Sequence, residues 1–356
     1  MTNINGKADL YSMTQSEISD FLQSIGEPKF RAKQIASWLA LGASIEEMTN
    51  LSKALREKLT SMTVDTLPKV REKLVSKIDG TVKYLFSLYD GSCIESVFMR
   101  YKHGNTLCIS SQVGCLMGCK FCASTIGGKV RDLRPSEMLG QIIAAQRDTG
   151  ERVSNIVMMG IGEPLDNYAN VIRFLELVNR EDGLNIGYRH ISLSTCGIVP
   201  KIKELASVEL PITLSISLHA SNDQKRSEIM PINKKWNIEE LLSACVYYYK
   251  HTGRRISFEY TLIQGKNDST EDARALAELL IKAFRGTGAP LHVNLIRVNP
   301  VTETGFSEGS AESANLFAKT LENMGVVATV RRRLGADVNA ACGQLRRASG
   351  GKRNEN

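Results

Sequence analysis

The chain has 356 residues, with 45 Lys and Arg against 38 Asp and Glu and a formal net charge of +7. That length holds two or three average domains, or one barrel with an appendage. No apolar run is long enough to span a bilayer, the N-terminus (MTNINGKADLYS) is polar rather than signal-like, and eight cysteines scattered over so long a chain are no secreted disulfide scaffold. A cytoplasmic enzyme without membrane attachment is expected, its cysteines serving as free thiols, ligands or catalytic groups.

The first 66 residues predict a small helical domain. Thr14-Gln-Ser-Glu17 is a capping box opening a helix with Ile18, Phe21, Leu22 and Ile25 on one face and Gly26 at its end. Pro28 suits the first turn of a second helix carrying Phe30, Ile35, Trp38 and Leu39, and Leu51, Leu55 and Leu59 mark a third. Lys29, Arg31, Lys33, Lys53, Arg56 and Lys58 decorate these helices, either as a solvated face or as an RNA-binding surface. From 67 to 105 the pattern changes to a period of two. Strands at Val70–Ile78, Val82–Leu88 and Cys93–Tyr101, separated by Asp79-Gly80 and Asp90-Gly91 turns, form a β-hairpin connector.

From 106 to 345 short apolar runs alternate with helical segments. Strands are expected at Thr106–Ser111, Asn155–Met159, His190–Thr195, Ile212–Ser217, Ile256–Ile263, His292–Arg297 and Val326–Arg331. Helices fit near 135–148, 167–180, 237–251, 269–284 and 311–324. This alternation implies an α/β fold with a parallel sheet and right-handed crossovers, here a partial barrel. The basic tail, 346–356, is expected to be disordered.

The most specific run is Cys115-Leu-Met-Gly-Cys119-Lys-Phe-Cys122, with no fourth cysteine nearby. Structural zinc sites and ordinary iron–sulfur clusters close with four protein ligands. Three thiolates leave one position open for an exogenous chelator. The spacing looks like the signature of radical S-adenosylmethionine (SAM) enzymes, in which SAM occupies the open iron of a [4Fe–4S] cluster. The plainer readings are an incomplete zinc knuckle or three buried cysteines. Four further motifs end strands as this one does: Gly160-Ile-Gly162-Glu163-Pro164, Ser194-Thr195-Cys196-Gly197, Ser217-Leu218-His219 and Arg297-Val-Asn299-Pro300. All five therefore fall on the rim where parallel barrels assemble active sites.

The segment from Cys108 to Asn299, with Ala340-Ala-Cys342-Gly-Gln-Leu345, resembles the RlmN/Cfr family of radical SAM RNA adenine methyltransferases. The likeness covers nearly the whole chain. It implies a partial (β/α)6 radical SAM barrel with one [4Fe–4S] cluster on Cys115, Cys119 and Cys122. It implies SAM and nucleoside contacts from Gly162, Glu163, Ser194, Ser217, Leu218, His219 and Asn299. In the family's chemistry Cys342 takes a methyl group from one SAM by polar displacement. A radical made from a second SAM then activates that methyl for addition to the adenine. Glu95 matches the family's base, and Cys108 matches the thiol that frees the product by forming a transient disulfide with Cys342. Cys93 and Cys245 read as packing residues, and Cys196 lacks ligand spacing.

The resemblance implies methylation of C2 of adenosine 2503 in 23S rRNA, and of adenosine 37 in some tRNAs. The partners it implies are those RNAs and a flavodoxin or ferredoxin as electron donor, with the protein acting as a monomer. Arg331, Arg332, Arg333, Arg346, Arg347, Lys352 and Arg353 flank Cys342 and suit an RNA backbone. The C8-methylating resistance branch shares these catalytic groups, but Val113 and Pro164 look more like the C2 branch. A radical SAM enzyme of another reaction would not need Cys342, and a zinc-dependent RNA-binding module would need no catalysis.

Overall fold

Thr14 caps its helix as the motif requires: its hydroxyl accepts from the Glu17 amide at 3.2 Å, and Glu17 Oε2 accepts from the Thr14 amide at 2.7 Å. The computed structural model describes residues 3–299, 301, 303 and 305–345. Pro300, Arg346, Arg347, Lys352, Arg353 and the expected tail at 346–356 lie outside the described residues. Helices α1 (Gln15–Ser24), α2 (Arg31–Ala40) and α3 (Lys53–Met62) enclose their own apolar cluster of Ile18, Leu22, Ile35, Met48, Leu55 and Leu59. Pro28 lies just ahead of α2 rather than in its first turn, its carbonyl accepting from the Arg31 amide at 3.2 Å. Several of the cations bind within the bundle. Lys58 pairs with Glu27 at 2.9 Å, Arg31 donates to Gln34, and Arg56 donates to the Glu46 carbonyl.

The rest of the fold is built on a ten-stranded sheet. Its strands are β1 (Lys69–Val75), β2 (Val82–Ser87), β3 (Cys93–Met99), β4 (Asn105–Cys108) and β5 (Val153–Met158), followed by β6 (Ile191–Thr195), β7 (Thr213–Ser217), β8 (Ile256–Leu262), β9 (His292–Arg297) and β10 (Val327–Val330). Each strand pairs with its neighbour in chain order. The β1–β4 pairs are antiparallel and the pairs from β4 to β10 are parallel. The expected connector is thus an extension of the core sheet, with Val97 of β3 opposite Cys108 of β4. A strand such as β3, buried at all seven positions, needs partners on both edges.

Between the parallel strands run α4 (Pro135–Thr149), α5 (Tyr168–Asn179), α6 (Val199–Ala206), α7 (Asp223–Ile229), α8 (Ile238–Thr252), α9 (Thr270–Ala283) and α10 (Ala311–Asn323). Of these, α6 and α7 are additions to the sequence reading. The apolar faces of α4, α5, α6, α8, α9 and α10 cover the sheet in one continuous core. No pairing joins β1 to β10 among the described residues, so the barrel is open.

The helical bundle is fastened to the barrel through α4. Asp9 Oδ2 accepts from the Ser136 and Ser12 hydroxyls at 2.7 Å each, and Thr66 donates to Oδ1 at 3.0 Å, all out of solvent. Gly140 of α4 leaves room for Pro68, whose Cδ would lie 2.2 Å from any added Cβ.

Candidate active site

The carboxyl ends of the parallel strands surround a cavity of about 150 Å³. Cys115, Cys119 and Cys122 line one part of it, on the loop after β4. That loop turns sharply at Gly114, where φ is +80° and an added Cβ would lie 1.9 Å from the Gly128 carbonyl oxygen. It is also tied to the C-terminal loop: the Ala123 amide donates to the Gly343 carbonyl at 2.7 Å, and the Ser124 hydroxyl to that of Leu345 at 2.9 Å. Burial pushes the thiols of Cys115, Cys119 and Cys122 up from their ordinary range. Among the described residues no three His, Cys, Asp or Glu side chains are set around a single metal ion. The fit of a cluster rests on donor chemistry, three thiols on one wall of a cavity that also holds Glu163 and Asn299.

Glu163 is buried and firmly oriented. Its Oε1 accepts from the Leu165 amide at 3.0 Å and its Oε2 from the Cys196 amide at 2.7 Å, leaving lone pairs on both oxygens for a further donor. Burial raises its proton affinity, and these amides oppose the rise. Gln112 fixes the adjoining backbone, accepting from the Glu163 amide at 2.9 Å while donating to Asp132 and Asp166 at 2.8 Å. Gly162 must be glycine here: φ is +107°, and an added Cβ would meet Gln112 Cβ at 2.6 Å.

Ser194, Ser217, His219 and Asn299 line the same cavity. Leu218 does not. Strand alternation turns its side chain into the core, and it meets the site region only through its backbone, whose amide donates to the Glu259 carbonyl at 3.1 Å. His219 occupies a left-handed conformation at φ +58°. Its Nδ1 accepts from the Thr261 amide at 2.9 Å, which assigns the proton of the neutral ring to Nε2. Burial first, and Arg226 second, push the imidazole down to about 3, so the ring stays neutral and offers a donor. Phe121, between two of the cysteines, packs edge-on against it with centroids 4.9 Å apart.

Arg226 holds this rim together and went unrecognised in the sequence. Fully buried on α7, it donates to the carbonyls of Cys196 at 2.7 Å, Leu218 at 3.1 Å and Ser217 at 3.2 Å, and to Asn233 Oδ1 at 2.9 Å. Two strand ends are thereby clamped by one guanidinium. A short, charge-rich helix gives no periodic signal for such a residue.

Cys342 lines this cavity and a neighbouring one of about 50 Å³, where Cys108, Val97 and Met99 form the wall. Asn299 Nδ2 donates to the Cys342 carbonyl at 2.9 Å, fixing the loop. Cys108 and Cys342 are both free thiols, so the disulfide implied by the resemblance is not a cross-link of this fold. Burial, with the nearby Cys342, pushes the Cys108 thiol up to about 12, while Arg331 acts the other way.

Arg331, the first of the cations expected to flank Cys342, lines both cavities with it and donates to Met159 Sδ at 3.3 Å. Cys342, then Glu259 and Cys108, raise its affinity for its proton. Arg333 is occupied by Glu308 at 3.0 Å, and Arg332 is exposed. Glu95 lies on the same face of β3 as Val97 and Met99 but lines neither cavity. It is buried against Lys83, which lies 3.1 Å from Glu95 Oε1 and donates to the Asn339 carbonyl at 3.0 Å, three residues before Cys342.

Residues 109–279 match the Radical SAM superfamily model, and residues 8–64 match the ribosomal RNA large subunit methyltransferase N-terminal domain. Among curated proteins, the chain is 56% identical over 342 residues to a probable dual-specificity RNA methyltransferase RlmN of Alkaliphilus oremlandii, covering 96% of this chain and 98% of the relative. It is 54% identical over 341 residues to that of Clostridium botulinum, covering 96% of each. A crystal structure of a radical SAM methyltransferase from Sphaerobacter thermophilus superposes with a TM-score of 0.89 at 42% identity, covering 95% of this chain and 98% of that one.

Proposed function

Because the chain belongs to the RlmN family of dual-specificity RNA methyltransferases, within the radical SAM superfamily, we propose that it methylates C2 of adenosine 2503 in 23S rRNA, and adenosine 37 of tRNAs, through a methyl group carried on Cys342. The observation that carries this reading is the position of Cys342, common to the cavity of the three cysteines and the cavity of Cys108. A sulfur so placed can receive a methyl group on one side and surrender it to a base whose release is completed from the other.

Cys115, Cys119 and Cys122 would hold the [4Fe–4S] cluster, with SAM bound in the same cavity. When bound, that pair supplies the one-electron chemistry that activates an otherwise inert methyl group. Glu163 would accept from the ammonium group of SAM, since Gln112 and two backbone amides hold its carboxylate in one orientation. His219 would donate through Nε2 to the bound nucleoside, and Ser194, Ser217 and Asn299 would complete its polar contacts.

Cys342 is the nucleophile, and Arg331 lines the same two cavities beside it. Glu95 takes the proton from the substrate carbon. The Cys108 thiolate then attacks the Cys342 sulfur and breaks its bond to the methylene carbon, which leaves with the electron pair on the base and is protonated to the methyl group. The Cys108–Cys342 disulfide so closed is reduced by an external thiol. Glu95 must swing toward the cavity or be reached by substrate, since it lines no wall in the present form. The target base must leave its stack to reach so enclosed a site, which costs least in a loop. No helix among the described residues is long and apolar enough to cross a membrane. The reading adds a cytoplasmic monomer fed electrons by a flavodoxin or ferredoxin.

The test is anaerobic turnover of the reconstituted protein with SAM, a reductant and a naked 23S rRNA fragment, followed by nucleoside mass spectrometry. 2-Methyladenosine is the expected product. 8-Methyladenosine would move the chain to the C8 branch, and deoxyadenosine without any methylated base would overturn the RNA substrate.

A further inference from the structure

Midway along β8, in a strand buried at all seven positions, stands a carboxylate that the proposed cycle does not use. Glu259 lines the active-site cavity and is 2% exposed. Asn294 Nδ2 donates to its Oε1 at 3.2 Å, whereas its Oε2 is enclosed without any hydrogen-bond partner. An unpartnered buried carboxylate oxygen carries a desolvation cost that folding alone does not reward. Burial raises the proton affinity of Glu259, and Arg331 on the same cavity opposes the rise, as do Asn294 and Ser215. The adjoining backbone is occupied with site residues, the Glu259 carbonyl accepting from the amides of Leu218 and His219 at 3.1 and 3.2 Å. The arrangement is rigid and polar, with Oε2 open to a further donor.

We propose that Glu259 Oε2 accepts a hydrogen bond from a ribose hydroxyl of an adenosine bound in this cavity. The inference rests on the reading that the cavity takes nucleosides. A hydroxyl fits the requirement because it brings one neutral donor to one free oxygen, as carboxylates do toward ribose in dinucleotide sites. Asn294 holds the other oxygen and so sets the carboxylate plane. Two adenosines are available to such a site, that of SAM and that of the RNA target, and both offer a 2′-hydroxyl.

Two measurements on the reconstituted holoprotein separate the sources. Equilibrium dialysis with S-adenosylhomocysteine and its 2′-deoxy analogue reads the cofactor ribose without any turnover. Methylation of an RNA fragment carrying either adenosine or 2′-deoxyadenosine at the target reads the substrate ribose. For a charge-assisted hydrogen bond, the wild type should prefer one ribo-ligand by about tenfold or more, and Glu259→Gln should shrink that preference severalfold. The thermal midpoint of the ligand-free variant reads any purely structural share, since the exchange leaves Arg331 with one fewer opposing charge. Equal binding of ribo- and 2′-deoxy ligands in both assays would overturn the proposal, as would a lowered midpoint with both preferences intact in Glu259→Gln. If no RNA is methylated at all, the RNA reading fails, while the dialysis still decides the role of Glu259.

Discussion

Lys83 and Glu95 form an ion pair of 3.1 Å with 7% and 1% of their side chains exposed, and the same ammonium group reaches the Asn339 carbonyl of the Cys342 loop. One buried cation therefore joins the β3 carboxylate to the loop of the proposed nucleophile. Breaking a buried ion pair by removing one partner is strongly destabilising, by about 3–5 kcal/mol. Lys83→Met should lower unfolding stability by about that amount, and Lys83→Met with Glu95→Leu should recover most of it without recovering RNA methylation. Denaturant titration of the three proteins checks this, and a loss under about 1 kcal/mol in the single variant would contradict a tight pair.

Gly162→Ala tests the Glu163 cradle. The new Cβ would lie 2.6 Å from Gln112 Cβ and 2.8 Å from its backbone nitrogen, at a φ that L residues avoid. Displacing Gln112 releases the Glu163 amide, so overpacking should cost about 1–3 kcal/mol and weaken S-adenosylhomocysteine binding. Unchanged affinity in dialysis would detach Gln112 and Gly162 from cofactor binding.

The resolving role of Cys108 has a pH signature. With its thiol pushed up to about 12, almost all of it is protonated near neutrality, and the thiolate that attacks is scarce. The protein–RNA adduct should therefore resolve about tenfold faster per pH unit between about pH 7 and pH 9. The same shift works against the fold in alkali. The native state keeps a proton that the unfolded chain releases, so this group's contribution is present below the unfolded thiol range and is lost as pH rises toward 12. Cys108→Ala should accumulate an adduct linked through Cys342, visible as a slow-migrating band that ribonuclease collapses. Normal release of methylated RNA by that variant would refute the role.

Cys119→Ala should lose iron and acid-labile sulfide together while keeping the far-ultraviolet circular dichroism of the parent, since the triad loop stands outside the barrel core. Full retention of both elements would contradict ligation by these three thiols.

The strands were legible because their apolar residues recur at period two or in short unbroken runs between turns. His292–Arg297 is found as expected, and Ile256–Leu262 falls within a residue of its expected end. Helix α7 was not legible, since seven largely charged residues give too few turns to show a period. The rim motifs were legible as breaks in the pattern: glycines, hydroxyls and a carboxylate just where each strand stops. Glu259 and Lys83 were not, because each lies inside a buried strand and its significance comes from partners far along the chain. Leu218 illustrates the converse: a motif assigned it with its neighbours, and alternation turned its side chain away.

The most direct test of the central claim is peptide mass spectrometry of the reconstituted protein after turnover with SAM, reading the segment that contains Cys342. The expected result is a single methyl group on the Cys342 sulfur, absent from Cys342→Ala, with RNA methylation lost in the same variant. Undiminished RNA methylation by Cys342→Ala would contradict it.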